Sequence, residues 1–381
     1  MKFIARYMLL VLLIANLASQ YVLLYPISNF LFYGVLGIGA LFSLLNYHTF
    51  LSKENLKSTF ILWSSIFIYI AYQFTLGINY WNSDSFNYLI AKIVVLLIIF
   101  WGVTTNYDFY FKKMIPFLGV IIAFLIVYGF IFHNEVFAGR STCGFGNPNS
   151  TSAISAIGFA SFLLLEYKPQ WLRIIGTIIC LFGVLAGGSR TIITVCIIAV
   201  FLKYEFSLRT IILFATIILI AIYLFPYFGF KLNGIDRIID VISNGNFIGS
   251  RGTVRKATFI MINEHPIIGW GFKSGIQGEA AQLTRLGSHN GYLDTIKAMG
   301  YPFAILLFSC ILIVLYKIRR LLKSKNSFIR YHLFVTISVL LAALYESYII
   351  GVNQIITNLL FVSITVLQYN VYYKLNTKEK K

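Results

Sequence analysis

The sequence predicts an all-α polytopic membrane protein, and three observations carry that prediction. Of the 381 residues, 59% are hydrophobic and only 12% charged, too apolar a balance for a soluble globule of this length. Apolar runs long enough to cross a bilayer recur about twelve times, near 5–24, 27–47, 58–78, 86–106, 114–133, 150–166, 171–188, 191–203, 209–229, 291–316, 329–350 and 355–373. Basic residues gather at alternate ends of these runs. One long polar interruption divides the series, so the chain reads as a bundle of about nine helices over 1–230, an extracytoplasmic loop with short helices over 231–288, and about three further helices with a tail over 289–381.

A formal charge of +18 invites a nucleic-acid reading, but its distribution excludes that. Twenty of the 31 basic residues, from Lys2 and Arg6 through Lys112, Lys168, Lys203 and Lys317 to Lys381, fall on one side of the alternating spans. Positive charge is retained on the cytoplasmic side, so both termini are expected there. The excess is topological. The basic start before an apolar run has the form of a cleavable signal, but with so many spans a retained first helix is expected. The four cysteines have neither disulfide nor metal spacing and read as small core residues.

Taken in order, the first 133 residues supply scaffold. Lys92 lies inside the fourth span, where a centred charge costs roughly 2.5–3.5 kcal/mol, so it should snorkel or face the bundle. Asp84 reads as a solvated loop residue. The stretch Gly139-Arg140 to Asn149-Ser150 brings the chain to the sixth span, where Asn149 or Ser150 is expected to cap the helix and leave an anion site at its N-terminus beside Arg140. Gly187-Gly188-Ser189-Arg190-Thr191 forms a tight turn between the seventh and eighth spans; its Arg190 either caps carbonyls or holds a ligand.

Within the long interruption, Ser250 is a good N-cap and Pro266 a good stop, which predicts a helix over 251–264. Arg251 and Arg255, four apart, share one face of it; their repulsion costs a few tenths of a kcal/mol that a bound anion would remove. Seven basic residues oppose four acidic ones between Lys231 and Ser288. With Arg140 and Arg190 they make a basic surface whose guanidinium forks suit phosphate or pyrophosphate. Ser288-His289-Asn290 then leads into the tenth span, where Asp294 and Lys297 can pair. Glu346 sits alone late in the eleventh span.

These segments resemble the O-antigen polymerase and ligase superfamily of bacterial membrane glycosyltransferases, the Wzy-type and WaaL-type proteins. Arg140 with Gly146-Asn147-Pro148-Asn149 resembles that family's Arg…Asn-Pro-Asn segment, and Gly188-Ser189-Arg190 its Ser-Arg turn. Ser250-Arg251 through His265-Pro266 to Gly269-Trp270-Gly271 resembles the periplasmic signature, and Ser288 to Leu293 with Gly300 the His-Asn…Gly segment. Arg255 departs from the aromatic residue common at its position in the family.

The resemblance implies transfer of a glycan from undecaprenyl diphosphate on the extracytoplasmic face, with membrane lipid and a chain-length regulator as partners. It casts Arg190, Arg251 and His289 as catalytic, and Arg140, Asn149, Arg255 and Asn290 as substrate-binding. A polymerase lengthening lipid-linked repeat units into O-antigen or capsular polysaccharide is the favoured reading. A ligase transferring the finished chain to lipid A-core is the alternative. With no Asp-x-Asp pair and no metal-ligand spacing, neither metal nor cofactor is expected. A lipid-linked oligosaccharide flippase or transporter is the less favoured alternative: it should show internal repeats and polar or broken helices near the midplane, and the sequence shows neither.

Overall fold

The computed structural model describes residues 2–50, 52–75, 83–132, 140–204, 216, 251–275, 278–284 and 288–378. In chain order its main helices are α1 (Lys2–Ser19), α2 (Tyr25–Leu45), α3 (Phe60–Thr75), α4 (Ser83–Thr105), α5 (Met114–Phe132), α6 (Pro148–Leu164), α7 (Gln170–Gly187), α8 (Arg190–Tyr204), α9 (Arg251–Glu264), α10 (Gly291–Ile318), α11 (Ser327–Ala342) and α12 (Ile355–Lys378). The only β pairing among the described residues is one isolated bridge, Tyr21 to Phe145. Six helices are long and apolar enough to cross a membrane: Val22–Leu45, Asp84–Thr105, Phe109–Phe132, Gln170–Gly187, Gly291–Lys323 and Ile355–Tyr373. Phe3–Ser19, Phe60–Phe74 and Ser327–Ala342 are apolar but shorter. The chain is a multi-pass membrane protein. Six of the roughly twelve expected spans therefore meet that length and composition among the described residues, and the span expected at 209–229 lies outside them apart from residue 216.

Small residues set the packing that positions the site. Gly176, Cys180, Gly183 and Gly187 form one stripe of α7, buried against α6. With no hydrophobic force between helices in lipid, such stripes let backbones close up and gain dispersion contacts. A Cβ on Gly187 would lie 2.5 Å from the Pro148 carbonyl oxygen, and one on Gly176 would lie 2.5 Å from the Phe162 ring. Because the obstacle at Gly187 is backbone, Gly187→Leu is expected to destabilise by about 1–3 kcal/mol, read as a lowered melting temperature of the detergent-solubilised protein. An unchanged melting temperature would mean that α6 and α7 do not pack this way.

The turn before α6 is pinned just as closely. Val22 N–H donates to Gly144 O at 3.0 Å and Gly146 N–H to Gln20 O at 2.9 Å, tying this turn to the α1–α2 connection. Cys143 sits inside it with a left-handed backbone (φ 46) and no exposed surface. Burial pushes its thiol up to about 11, leaving almost no thiolate at neutral pH. A maleimide is therefore expected to leave Cys143 unlabelled at pH 7 in the native protein; rapid labelling would show that the turn opens.

Two helices expected to be continuous are interrupted. The eleventh span is expected to run to 350, but α11 stops at Ala342. The Gly291 amide there donates to both Ala343 O (2.7 Å) and Glu346 O (3.0 Å), so the chain turns aside as an irregular shelf at the start of α10. In α10, Gly300 is non-helical (φ 72, ψ 170), a conformation only glycine adopts without strain. The break frees carbonyls that Trp270 N–H and Gly271 N–H reach at Lys297 O (2.8 Å) and Ala298 O (2.9 Å). The Gly269-Trp270-Gly271 signature is thus a docking device: a Cβ on Gly269 would lie 2.6 Å from the Ala298 carbonyl. Lys92, 1% exposed, faces the bundle, where its ammonium donates to Gly351 O at 2.8 Å over the Phe361 ring at 4.7 Å.

Candidate functional site

Three helices, α6, α8 and α10, begin at one end of the bundle, and α9 lays its first turns against the same shelf. Each start leaves free backbone amides and the positive end of a helix dipole. The cap of α6 is Asn147, whose side chain accepts from Asn149 N–H at 2.8 Å, and not Asn149 or Ser150 as expected. Pro148 occupies the first helical position, which fixes the cap one residue earlier.

Relieved of capping, the Asn149 amide links two charged groups. Its oxygen accepts from an Arg140 Nη2–H, while its Nδ2 donates to Glu346 Oε1 at 2.7 Å. Arg140 Nε also donates to Gly187 O at 3.0 Å. The carbonyl-capping role left open for Arg190 is thus filled by Arg140. Arg190, half-buried at the start of α8, makes no side-chain hydrogen bond among the described residues, and its guanidinium is available to an anion.

On its other side Glu346 meets His289. Glu346 Oε2 lies 3.7 Å from His289 Nδ1, with the His side chain 36% exposed and the Glu side chain 10%. That separation is longer than a hydrogen bond and becomes an ion pair only when the imidazole carries a second proton. His289 holds a left-handed backbone (φ 48), an arrangement uncommon outside glycine and worth reading as functional when observed. Its neighbour Asn290 imposes the geometry. Asn290 Oδ1 accepts from Tyr292 N–H and Leu293 N–H, each at 3.0 Å, while Nδ2 donates to Leu344 O at 3.0 Å. Both polar ends of Asn290, which is expected to contact substrate, are hydrogen-bonded within the fold beside His289.

Arg255 reaches the same shelf. Its guanidinium donates to Leu344 O at 3.4 Å and lies 5.5 Å from the Tyr345 ring centre, where cation and ring face attract. Helix spacing puts Arg251 one turn earlier on that face; its side chain lies outside the described residues, as do residues 231–250 of the long interruption. The helix over 251–264 is as expected.

The arrangement joins a half-exposed imidazole, backed by a buried carboxylate, to arginines at helix N-termini. An imidazole so placed can take a proton from a hydroxyl. Guanidinium groups and free amides together can stabilise an anionic leaving group. Glu346 is the residue whose role sequence reasoning missed. A lone carboxylate near the end of an apolar run was the available signal, but its partners are 197 and 57 positions away.

The family model described as O-antigen ligase matches residues 175–308. Residues 175–308, about a third of the chain, are similar to the O-antigen ligase family. Three of the four segments that carry the resemblance, those around Arg190, Arg251 and His289, fall within the match, while the Arg140 to Asn149 segment precedes it. That likeness supports, in the broad sense only, a membrane enzyme of the O-antigen ligase and polymerase type. No curated protein matches the chain.

Proposed function

We propose that the chain is a metal-independent glycosyltransferase of the bacterial plasma membrane that polymerises undecaprenyl-diphosphate-linked repeat units into O-antigen or capsular polysaccharide on the extracytoplasmic face. The observation that carries this reading is the continuous link from Arg140 through Asn149 and Glu346 to His289, beside Arg190 and Arg255. The free ring nitrogen of His289 takes the proton from an acceptor sugar hydroxyl as its oxygen attacks the donor anomeric carbon. The bond from that carbon to the diphosphate oxygen breaks, and undecaprenyl diphosphate leaves. Arg190 and Arg251 are assigned to the negative charge that grows on the leaving group, with Arg255 at their side. Arg140 sets the geometry of the carboxylate and of the turn that bears Arg190.

The description of the matched family favours a second reading, ligation of finished chains to lipid A-core. A deletion strain decides between them. Single-repeat caps support the polymerase, whereas long lipid-linked chains that never reach the core support the ligase. In the complemented strain, Arg190→Ala is expected to cut product by about 100- to 1000-fold, the usual cost of removing one donor to a developing anion. Arg190→Lys should recover only part, because a point charge replaces a fork. An undiminished ladder from Arg190→Ala at normal membrane level would remove Arg190 from the site.

A further inference from the structure

The shelf has two sides, and only one is used above. Glu346 turns to Asn149 and His289, whereas the next residue, Ser347, donates its hydroxyl to Asp294 Oδ2. Behind it lies a cavity of about 410 Å³, within the roughly 300–1,000 Å³ of small-ligand sites. Its floor is the pair Asp294 and Lys297, 9% and 7% exposed, with Lys297 Nζ at 3.9 Å from Asp294 Oδ1 and donating to Ser274 O at 2.9 Å.

Gln20 and Asn353 amides and the Tyr88 ring complete the wall. Asp294 lies one helical turn beyond Asn290, so the cavity opens directly under the residues that hold His289. A buried ion pair at 3.9 Å repays little of its desolvation, and ionisable groups facing a cavity inside a membrane span mark substrate paths. The lining residues carry opposed charges, side-chain amides and an aromatic ring. That mixture matches a ring bearing many hydroxyls, each both donor and acceptor, better than it matches phosphate, which Asp294 would repel.

We infer that the cavity between Asp294–Lys297 and the Ser347–Gln354 segment is a sugar subsite, holding a pyranose ring of the repeat unit next to the bond being made. This rests on the glycosyltransferase reading and names the place where its glycan sits.

The photoreactive residue p-benzoylphenylalanine, placed singly at Gln20 or Lys273 in the full-length chain, tests it. The chain carries His289→Ala to hold unreacted substrate, and the probe ligand is the producing cell's own lipid-linked glycan. After irradiation, periodate and hydrazide labelling reports glycan on the protein. Label is expected at both positions above the background set by Trp171, at the opposite end of α7. Asp294→Asn should lower it by about 10-fold or more, the cost of a hydrogen bond to a charged group. The same residue at Thr191, beside Arg190, reports the transferase site itself. Label at Thr191 but not at Gln20 or Lys273 would overturn the subsite and leave the transferase reading standing. No label at any of the three would overturn both.

Discussion

His289→Asn is expected to abolish the polysaccharide ladder, with product falling by about 100- to 10,000-fold, the range assigned to a lost general base. Asparagine is the informative replacement. It tolerates the left-handed backbone seen at this position (φ 48) better than alanine does, so Asn290 can still cap α10 and the shelf stays in place. Only the imidazole is removed. Membrane level and detergent melting temperature should therefore match the parent protein. The measurement is the ladder from a deletion strain complemented with each form at equal level. Retention of more than about a tenth of the product would remove proton transfer by His289 from the mechanism.

The parts of this site that the sequence made legible are those governed by local rules. The α9 boundaries followed from a polar cap before an apolar run and a proline after it. The basic character of one end followed from counting arginines against the positive-inside bias. Even the Asn147 cap was legible, because Asn-Pro with proline at the first helical position puts the cap on that asparagine. The expectation at Asn149 failed by setting that rule aside.

What could not be read was set by long-range backbone competition. Leu340 to Ile350 is apolar enough to continue a helix, yet α11 ends because the Gly291 amide takes carbonyls at Ala343 and Glu346. Gly300 falls inside an expected span and stands out only through the His-Asn…Gly resemblance, yet it is where the 269–271 segment docks. In both places a glycine that merely interrupts hydropathy locally allows a close approach from a distant segment. Propensity carries no record of that approach. The signature residues divide along the same line. Gly269, Gly271, Gly300 and Asn290 make contacts within the fold, while the proposed mechanism assigns His289 and Arg190 to the reaction.

Glu346 carries the second large expectation. Glu346→Ala should lower product by on the order of 100-fold, less than the roughly 10,000-fold cost of removing the orienting carboxylate from a catalytic triad, because Glu346 Oε2 stands 3.7 Å from His289 Nδ1, beyond hydrogen-bond length. Two consequences follow from its two oxygens. Loss of Oε2 leaves His289 Nδ1 without the carboxylate that orients it, and loss of Oε1 releases the Asn149 amide that also holds Arg140. Glu346→Gln separates them. A glutamine oxygen can still accept from Asn149, so the Arg140 link and the melting temperature should be kept while the charge beside His289 is lost. Product should then fall nearly as far as in Glu346→Ala if the carboxylate acts through His289. It should recover most of the way to wild type if Glu346 serves only the Asn149 link. The double variant Glu346→Gln with His289→Asn sharpens the test. Groups acting as a unit are non-additive, so the pair should be no worse than His289→Asn alone. A further loss on the order of 100-fold in the double variant would show that Glu346 acts independently of His289, and its role as the orienting carboxylate would be wrong.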